Sequence, residues 1–234
     1  MGVTARNILL AGATGLVGSM TLRGLLADTC RVGAVFAPSR RALAISDPRL
    51  VVPIVDFAAA TSDAAIAAAI EGHPHGRLDA YLCCLGTTIG TAGSREAFIA
   101  VDRELVLRLA QIAYDLGARH AILVSSVGAS RQSGNFYLRV KGEVEDALER
   151  IGFTRLDIMQ PGLLLGARGE RRPGEALAQK LAPLANPLFL GKLRRYRGIE
   201  ADCLATAIVR LLEHPQPGQY SHQYDAIQAL AAEG

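Results

Sequence analysis

The sequence predicts an α/β fold in which a doubly wound, mostly parallel sheet of about seven strands forms a single domain. Short uncharged apolar runs alternate along the chain with longer segments of helical periodicity. Strands that are buried on both faces of a parallel sheet have this continuous apolar character. No linker and no internal repeat divides the 234 residues, a length that suits one α/β domain with a substantial core.

Three glycines at three-residue spacing connect the first predicted strand, 7–11, to the first predicted helix. Gly12 allows the chain to reverse, Gly15 allows the backbone to approach a pyrophosphate, and Gly18 allows helix and strand to pack closely. The phosphates of a dinucleotide would lie on the free N–H groups at the start of that helix, although an ordinary strand-to-helix turn has the same glycines. The residues predicted to hold the pyrophosphate are Gly12, Thr14, Gly15, Leu16, Val17 and Gly18.

The second predicted strand, 31–36, is followed by Ser39, Arg40 and Arg41. In a dinucleotide-binding fold this strand end faces the adenosine ribose, where an acidic residue binds the 2′-hydroxyl of NAD and an arginine accommodates the 2′-phosphate of NADP. No acidic residue occurs between Asp28 and Asp47. We therefore expect NADP(H) to be preferred over NAD(H), with a solvated basic turn as the alternative.

Two further strand ends are predicted to contact the cofactor. The third predicted strand, 50–55, is followed by Asp56 and Phe57, which would cap the adenine. The fourth, 78–85, leads into a glycine-bounded loop at the edge of the sheet where this fold binds ligands. The cofactor contacts expected in this loop are Leu85, Gly86, Thr87 and Thr88.

A single long helix is then predicted over 95–116 from its apolar face.

The fifth predicted strand, 122–124, ends in two serines, and the next helix begins with Tyr137 and Lys141. Tyrosine and lysine at this spacing share one face of a helix. A lysine ammonium beside a phenol favours the phenolate, so the phenol can exchange a proton with a substrate oxygen while hydride moves to or from nicotinamide. A serine hydroxyl can hold the same oxygen. By itself, Tyr-x-x-x-Lys is equally typical of a solvated helix pair.

The sixth predicted strand, 152–159, ends before Pro161 and Gly162, whose turn would pass close to the nicotinamide. We interpret 163–199 as a variable segment on the substrate side of the domain. Its arginines would attract a carboxylate or phosphate, or else form a solvated surface, and 188–190 would line the pocket or contact a partner. These arginines are Arg168, Arg171, Arg172, Arg194, Arg195 and Arg197.

Taken together, the glycine turn, the serine pair, Tyr137 with Lys141, and Pro161–Gly162 resemble a short-chain dehydrogenase/reductase with an NAD(P)-binding Rossmann fold. More narrowly, the chain resembles the Tat-interactive-protein-like oxidoreductase branch of the atypical members. The similarity extends over roughly 7–212. The segments that carry this narrower resemblance are 84–88, 101–103, 137–143 and 172–175.

The resemblance implies an NADP(H)-binding protein with a Ser-Tyr-Lys site. Ser125 and Ser126 compete for the catalytic role, and the resemblance favours Ser126, because in related extended enzymes the later serine of the run carries it; Ser125 is then expected in the cofactor site. Asp102 stands where many relatives have an asparagine of the proton relay. The resemblance leaves two functions open, since the branch includes NADPH-binding regulators as well as reductases.

These observations predict an NADP(H)-dependent oxidoreductase of the carbonyl reductase or alcohol dehydrogenase type. Tyr137 would be the general acid/base, Lys141 would support the phenolate and hold the nicotinamide ribose, and Ser126 would position the substrate oxygen. The partner would be a small carbonyl or alcohol, and the protein a monomer or homodimer. The alternative is an NADPH-binding regulatory or redox-sensing protein with little or no turnover.

Composition excludes several other classes. The net charge of +3 is too small to indicate nucleic acid as a partner, and the four cysteines have no metal-ligand spacing, so no metal is expected. No apolar run is long enough to span a bilayer. The sequence enters its first strand without room for a signal peptide, which predicts a cytoplasmic protein.

Overall fold

The computed structural model describes residues 5–74, 76–166 and 189–233. Its strands are β1 (Arg6–Ala11), β2 (Val32–Phe36), β3 (Leu50–Val51), β4 (Ala80–Cys83), β5 (His120–Val124), β6 (Arg155–Met159), β7 (Leu164–Leu165), β8 (Ile199–Glu200) and β9 (Gly218–His222). Its α-helices are α1 (Leu16–Ala27), α2 (Ser62–Glu71), α3 (Ile89–Ala92), α4 (Arg95–Ile99), α5 (Val106–Asp115), α6 (Phe136–Ile151), α7 (Ala201–Leu211) and α8 (Tyr224–Ala232). A π-helical turn covers Ala100–Leu105, and a 3₁₀ helix covers Gly191–Tyr196.

Seven strands form one sheet in the order β3-β2-β1-β4-β5-β6-β9, and every neighbouring pair is parallel. β7 and β8 pair separately. From β1 the chain runs outward to β3 and then crosses back to β4, so the winding direction reverses between β1 and β4. Ligands of open α/β sheets bind in the crevice at the carboxyl ends of the strands on either side of such a reversal.

Helices cover both faces of the sheet. One apolar cluster joins the sheet to α1, α7 and α8, and it contains Leu10, Leu22 and Ile208. The other joins the opposite face to α2, α5 and α6, and it contains Leu9 and Leu109. Successive residues of β1 therefore enter different cores, as the alternation of side chains along a strand requires. The predicted doubly wound α/β fold is confirmed.

The third strand is shorter than the run 50–55 that the sequence predicts. Only Leu50 and Val51 pair with β2, and an isolated bridge between Ser39 and Ile54 follows. Pro53 lies between these two contacts and has no N–H to donate, so the ladder of this edge strand is interrupted there. The Pro53 carbonyl still accepts a hydrogen bond from the backbone N–H of Ser39 at 3.0 Å.

The helix predicted over 95–116 is divided by the π-helical turn at Ala100–Leu105. Phe98 before the turn and Leu109 after it are both fully buried, so the apolar face continues across it. Phe98, Leu105 and Leu109 keep the spacing of an ordinary α-helix, so apolar periodicity does not reveal the π turn between them. Such turns are frequent at functional sites.

Only part of the predicted substrate-side segment lies in the described ranges. Arg168, Arg171, Arg172 and Leu188 lie outside them. Arg194 donates to Asp225 at 3.1 Å, and the Arg197 guanidinium lies 5.6 Å from the ring centre of Tyr224, so both arginines attach the 3₁₀ helix to α8. Among the described helices, none combines the length and the apolar character that crossing a membrane needs.

Candidate functional site

Two glycines of the turn after β1 are required by the protein's own packing. Gly12 has a φ of +86°, and a Cβ there would lie 2.7 Å from the backbone carbon of Cys84. A Cβ on Gly18 would lie 2.0 Å from the carbonyl oxygen of Gly12. Both distances are far below van der Waals contact. The turn can therefore close against β4 and the start of α1 only because neither residue carries a side chain.

Gly15 differs, because a Cβ there would have the Gly12 carbonyl oxygen as its nearest neighbour, at 3.3 Å. Apart from this one close contact, no atom of the described residues beyond its two chain neighbours is found within 4 Å of that Cβ position at Gly15, which is the N-cap of α1. No described side chain caps this helix, and its first turn has no acidic residue. The N-terminus of α1, with its positive dipole end and unpaired N–H groups, is thus open beside Gly15. This arrangement fits a pyrophosphate.

The flanking residues of the turn divide between the surface and the core. Thr14 is exposed and Leu16 is half-buried. Val17 is 5% exposed and belongs to the core beneath α1, so its side chain is not open to a ligand. The exposed residues of the turn are therefore Thr14 and Gly15.

The end of β2 presents the two arginines outward. Ser39 is buried, and its hydroxyl accepts the backbone N–H of Arg41 at 3.4 Å. Arg40 and Arg41 are exposed, and neither side chain has an ion pair or hydrogen bond with any residue in the described ranges. Asp47, the next acidic residue, accepts hydrogen bonds from Arg49. The two guanidinium groups at this strand end are thus free to bind an anion.

The residues after β3 are more constrained. The Asp56 carboxylate accepts the backbone N–H of Ala58 at 3.0 Å and is exposed. The Phe57 carbonyl accepts a hydrogen bond from Arg108 at 2.8 Å, and its half-buried ring packs against the core of α2, α5 and α6. Both residues lie beside β3, but their contacts are with the protein.

The loop after β4 begins the other side of the crevice. Leu85 packs partly into the core, and the Thr88 hydroxyl caps α3 by accepting the Thr91 N–H at 3.1 Å. Thr87 donates its N–H to the Asp102 carboxylate at 2.9 Å. A Cβ on Gly86 would lie 3.9 Å from the Lys141 amine and 3.9 Å from Asp102 Oδ1, so this glycine borders the predicted catalytic lysine.

The structure separates the two serines that follow β5. The Ser125 hydroxyl donates to the buried Glu145 carboxylate, which also accepts two hydrogen bonds from Gln160 at 3.1 Å. Burial raises the pKa of Glu145, and these hydrogen bonds oppose the rise without cancelling it. Ser126 is half-buried, and its hydroxyl has no partner among the described residues. The geometry thus leaves Ser126 as the serine whose hydroxyl is available to a ligand.

Helix α6 is fixed against the loop that follows the serines. Asn135 caps it by accepting the Leu138 N–H at 3.2 Å, and the Leu138 carbonyl accepts the Ser130 N–H at 3.1 Å. A Cβ on Gly142 would lie 2.3 Å from the Ser130 carbonyl carbon, so this glycine lets helix and loop approach. Tyr137 and Lys141 are thereby held beside the end of β5.

The two predicted catalytic residues of α6 have different surroundings. Tyr137 is half-buried, and its ring lies 5.7 Å from that of Phe98. Lys141 is only 2% exposed, and its amine lies 3.0 Å from Asp102 Oδ1. Burial alone would lower the pKa of Lys141, but the Asp102 carboxylate and the Tyr137 phenol raise it above the ordinary lysine value. The lysine is therefore a buried, charged group next to the phenol.

The turn after β6 reaches the same edge of the sheet. The Pro161 carbonyl accepts the N–H of Val127, next to Ser126, at 3.0 Å. A Cβ on Gly162 would lie 2.6 Å from the Arg197 carbonyl oxygen. The packing of this turn against the segment before β8 is thus sufficient to explain the glycine.

Three residues that organise the site are not among the functional residues that the sequence predicts. Asp102 is indicated only by the resemblance, and the sequence does not indicate Gly142 or Glu145. Asp102 carried a usable signal, because it is a charged residue within the apolar stripe between Phe98 and Leu105. Glu145 lies four residues after Lys141, on the same helical face, whereas nothing in the local sequence distinguishes Gly142.

Known proteins with related sequences point to the same cofactor class. A family described as NAD(P)H-binding matches residues 12–175. Protein HTATIP2 of Rattus norvegicus is 38% identical over 178 residues, covering 75% of this chain and 69% of the relative. Protein fmp52, mitochondrial, of Aspergillus niger is 33% identical over 208 residues, covering 87% and 85%.

Solved structures agree on the fold. A UDP-glucose 4-epimerase from Stenotrophomonas maltophila with bound NAD has a TM-score of 0.65 at 17% identity, covering 92% of this chain and 76% of the epimerase. A short-chain dehydrogenase/reductase superfamily protein from Agrobacterium tumefaciens with bound NAD has a TM-score of 0.64 at 16% identity, covering 94% and 78%. These likenesses show that the chain shares the fold of those proteins, and the predicted NAD(P)-binding family is confirmed by the family match and by the identity to HTATIP2.

The expected cytoplasmic location is wrong on these comparisons, because several fmp52 relatives are named as mitochondrial proteins. Compartment is set by targeting signals that cellular receptors recognise, and neither the net charge nor the order of strands and helices encodes them. The position of the first strand in the sequence therefore does not define the compartment.

Proposed function

Because the chain belongs to the NAD(P)H-binding family, we propose that it is an NADP(H)-dependent oxidoreductase that interconverts a small carbonyl compound and its alcohol. The observation that carries the proposal is the pairing of Tyr137 with a buried, charged Lys141 beside the crevice of the sheet. A protein that only bound the cofactor would need the glycine turn and could use Lys141 to hold the ribose, but it would have no use for the Tyr137 phenol beside that lysine.

The residues of the chain divide the reaction among them. The nicotinamide supplies or accepts the hydride when the cofactor is bound. Tyr137 donates the proton to the carbonyl oxygen during reduction, and the Lys141 ammonium stabilises the phenolate that remains. Ser126, whose hydroxyl is available, donates a hydrogen bond to the same oxygen as negative charge develops on it. Lys141 also binds the nicotinamide ribose.

The proposed binding of the cofactor follows the crevice. The backbone of the glycine turn and the N-terminus of α1 hold the pyrophosphate. Arg40 and Arg41 bind the 2′-phosphate, which makes NADP(H) the preferred cofactor. Three observations support this preference. Both arginines are exposed, and neither side chain has a partner among the described residues. Asp47, the next acidic residue, is hydrogen-bonded to Arg49.

The test is oxidation of NADPH with a panel of aldehydes, ketones and quinones, comparing wild type with Tyr137→Phe. We expect kcat to fall by a factor of about 10² to 10⁴ because the variant lacks the proton donor. Tyr114→Phe is the matched control: this tyrosine packs on Phe153 and lies outside the site, so turnover stays at the wild-type level. Ser126→Ala should lower kcat more than Ser125→Ala.

The outcomes distinguish the two functions. Wild-type protein that binds NADPH but turns over no compound of the panel would favour a regulatory protein whose interactions depend on the cofactor. Full activity in Tyr137→Phe would overturn the proposed mechanism, because no other described side chain takes the role of proton donor here.

A further inference from the structure

The Asp102 carboxylate connects two parts of the site that the sequence separates by more than fifty residues. It lies in the π-helical turn and is fully buried. One oxygen lies 3.0 Å from the Lys141 amine on α6, and the other accepts the Thr87 N–H at 2.9 Å in the loop after β4. A single carboxylate thus contacts the lysine and the loop that borders the cofactor crevice.

The charge of Asp102 has a clear effect on its partner. An ammonium with 2% exposure and no carboxylate beside it would favour its neutral form. The other groups that act on the Lys141 charge are Tyr137 and Glu145 on its own helix and the Cys83 thiol on β4. Burial raises the pKa of the Cys83 thiol, and the Glu145 carboxylate accepts its hydrogen bonds from Ser125 and Gln160. Asp102 is therefore the main counter-ion of Lys141 among the described residues.

The π-helical turn explains how the carboxylate reaches this position. Phe98 and Leu105, on either side of Asp102, both point into the apolar core. The extra residue of the wide turn changes the register within the helix, and the turn carries Asp102 against α6 while the apolar face continues. A second ion pair, between Arg103 and Glu143 at 2.8 Å, joins the turn to α6 on its more exposed side.

From this arrangement we propose that Asp102 is a positioning residue, which holds Lys141 charged and aligned and couples it to the Thr87 loop. The proposal rests on the proposed function for its catalytic consequence. An asparagine at this position would retain the hydrogen bond to Thr87 but would leave the buried ammonium without its counter-ion. The aspartate thus makes the charge of Lys141 independent of cofactor binding.

The direct test is a titration of Lys141 by NMR in the full chain, with and without NADPH. The sequence contains three lysines, Lys141, Lys180 and Lys192, so selective labelling of lysine side chains yields three signals, and Lys141→Met assigns one. We expect Asp102→Asn to move the titration of Lys141 to lower pH by about one unit or more. Glu143→Gln, which removes the other ion pair between the same elements, should leave it unmoved.

Two further variants keep the measurement decisive. Asp102→Ser is a second uncharged variant, so a failure of Asp102→Asn to fold does not end the test. Asp102→Glu retains the carboxylate and should restore a titration close to that of wild type. A Lys141 signal that titrates at the same pH in wild type, Asp102→Asn and Asp102→Ser would overturn the proposal.

The pH profile of kcat/KM separates positioning from a purely structural role. In Asp102→Asn the ammonium has no counter-ion and loses its proton at lower pH, so the limb of the profile that depends on a charged Lys141 moves to lower pH. A merely structural role would lower the melting temperature and leave the profile in place. If wild type reduces no carbonyl but the NMR shift is observed, the proposed function fails and the role of Asp102 in holding Lys141 stands.

Discussion

Individual glycines of this chain have different structural roles, although the sequence alone does not distinguish them. Gly12 and Gly18 allow the turn to close on the protein's own backbone, whereas Gly15 leaves a surface open beside the N-terminus of α1. Among the glycines in the described ranges, Gly142 has the tightest contact outside the turn, since a Cβ there would meet Ser130 at 2.3 Å. It fixes the distance between α6 and the loop that carries Ser126.

At the residue scale we expect Gly142→Ala to destabilise the protein by about 2 kcal/mol. The added methyl group forces α6 away from the loop, and this cost exceeds the gain of about 1 kcal/mol that alanine brings to a helix. For a chain of this length the melting temperature should fall by about 4–8 °C in calorimetry. Gly134→Ala is the control, because a Cβ there meets nothing within 4 Å. An unchanged melting temperature for Gly142→Ala would mean that the loop yields easily.

Among the elements, the last three strands of the sheet are joined by a buried polar cluster. Asp157 on β6 accepts hydrogen bonds from His120 on β5 and His222 on β9, each at 2.7 Å, and from Arg155 at 2.6 Å. The Arg155 guanidinium also lies 4.3 Å from the ring centre of Tyr220. The side chains of Asp157, His120, His222 and Arg155 therefore hold this edge of the sheet together, whereas apolar contacts hold the rest of the sheet.

This cluster predicts a loss of stability in acid. Burial lowers the pKa of His120, so the unfolded state binds a proton that the folded state resists, and stability falls as the pH drops below about 6.5. Burial opposes ionisation of Asp157, but the hydrogen bonds from the two histidines and Arg155 outweigh it and lower its pKa, which adds a loss below about pH 4. The free energy of unfolding, measured by denaturant titration at several pH values, should show both losses.

A variant of His120 tests whether this histidine causes the loss of stability below about pH 6.5. His120→Gln retains a hydrogen-bond donor but cannot take up a proton, so its stability should depend less on pH between about 6.5 and 5. His214→Gln is the control and should keep the wild-type dependence, because the half-buried His214 lies outside the cluster and contacts Glu233. Equal slopes in wild type and His120→Gln would show that another group causes the loss.

For the whole molecule, the cofactor crevice lies where the winding direction of the sheet reverses. The carboxyl ends of β1, β4 and β5 carry the glycine turn, the Thr87 loop and Ser126, which lie far apart in the chain. Both apolar cores reach this edge, and α1 and α6 approach it from opposite faces. A ligand that bridges the crevice contacts many elements only in the folded state, so binding should stabilise the entire domain.

We expect NADPH at about one hundred times its Kd to stabilise the fold by about 2.7 kcal/mol, which corresponds to a rise in melting temperature of about 5–10 °C. At the same concentration NADH should produce a smaller rise, because it lacks the 2′-phosphate that Arg40 and Arg41 would bind. Replacing both arginines by alanine should remove the difference between the two cofactors in a thermal-shift measurement. A larger rise with NADH in wild type would contradict the proposed preference.

Much of the fold could be predicted because parallel strands and their covering helices leave local patterns. Apolar runs, glycines and helical periodicity depend on neighbours in sequence, and they identified the order of strands and helices and the glycine turn. Predicted ends were less accurate. The sixth strand begins at Arg155 rather than 152 because Gly152, with a φ of +88°, ends α6. The shortened β3 has a similar local cause in Pro53.

The sequence by itself determined the chemistry that is available: a glycine turn, two arginines after β2, and a serine, a tyrosine and a lysine after β5. Only the tertiary structure decided which of these groups are free to act. It binds Ser125 to Glu145 and leaves the Ser126 hydroxyl available, and it buries Lys141 against Asp102. These outcomes depend on contacts between residues distant in the chain, whose distances follow from how the helices pack on the sheet. Local patterns carry no information about such distances.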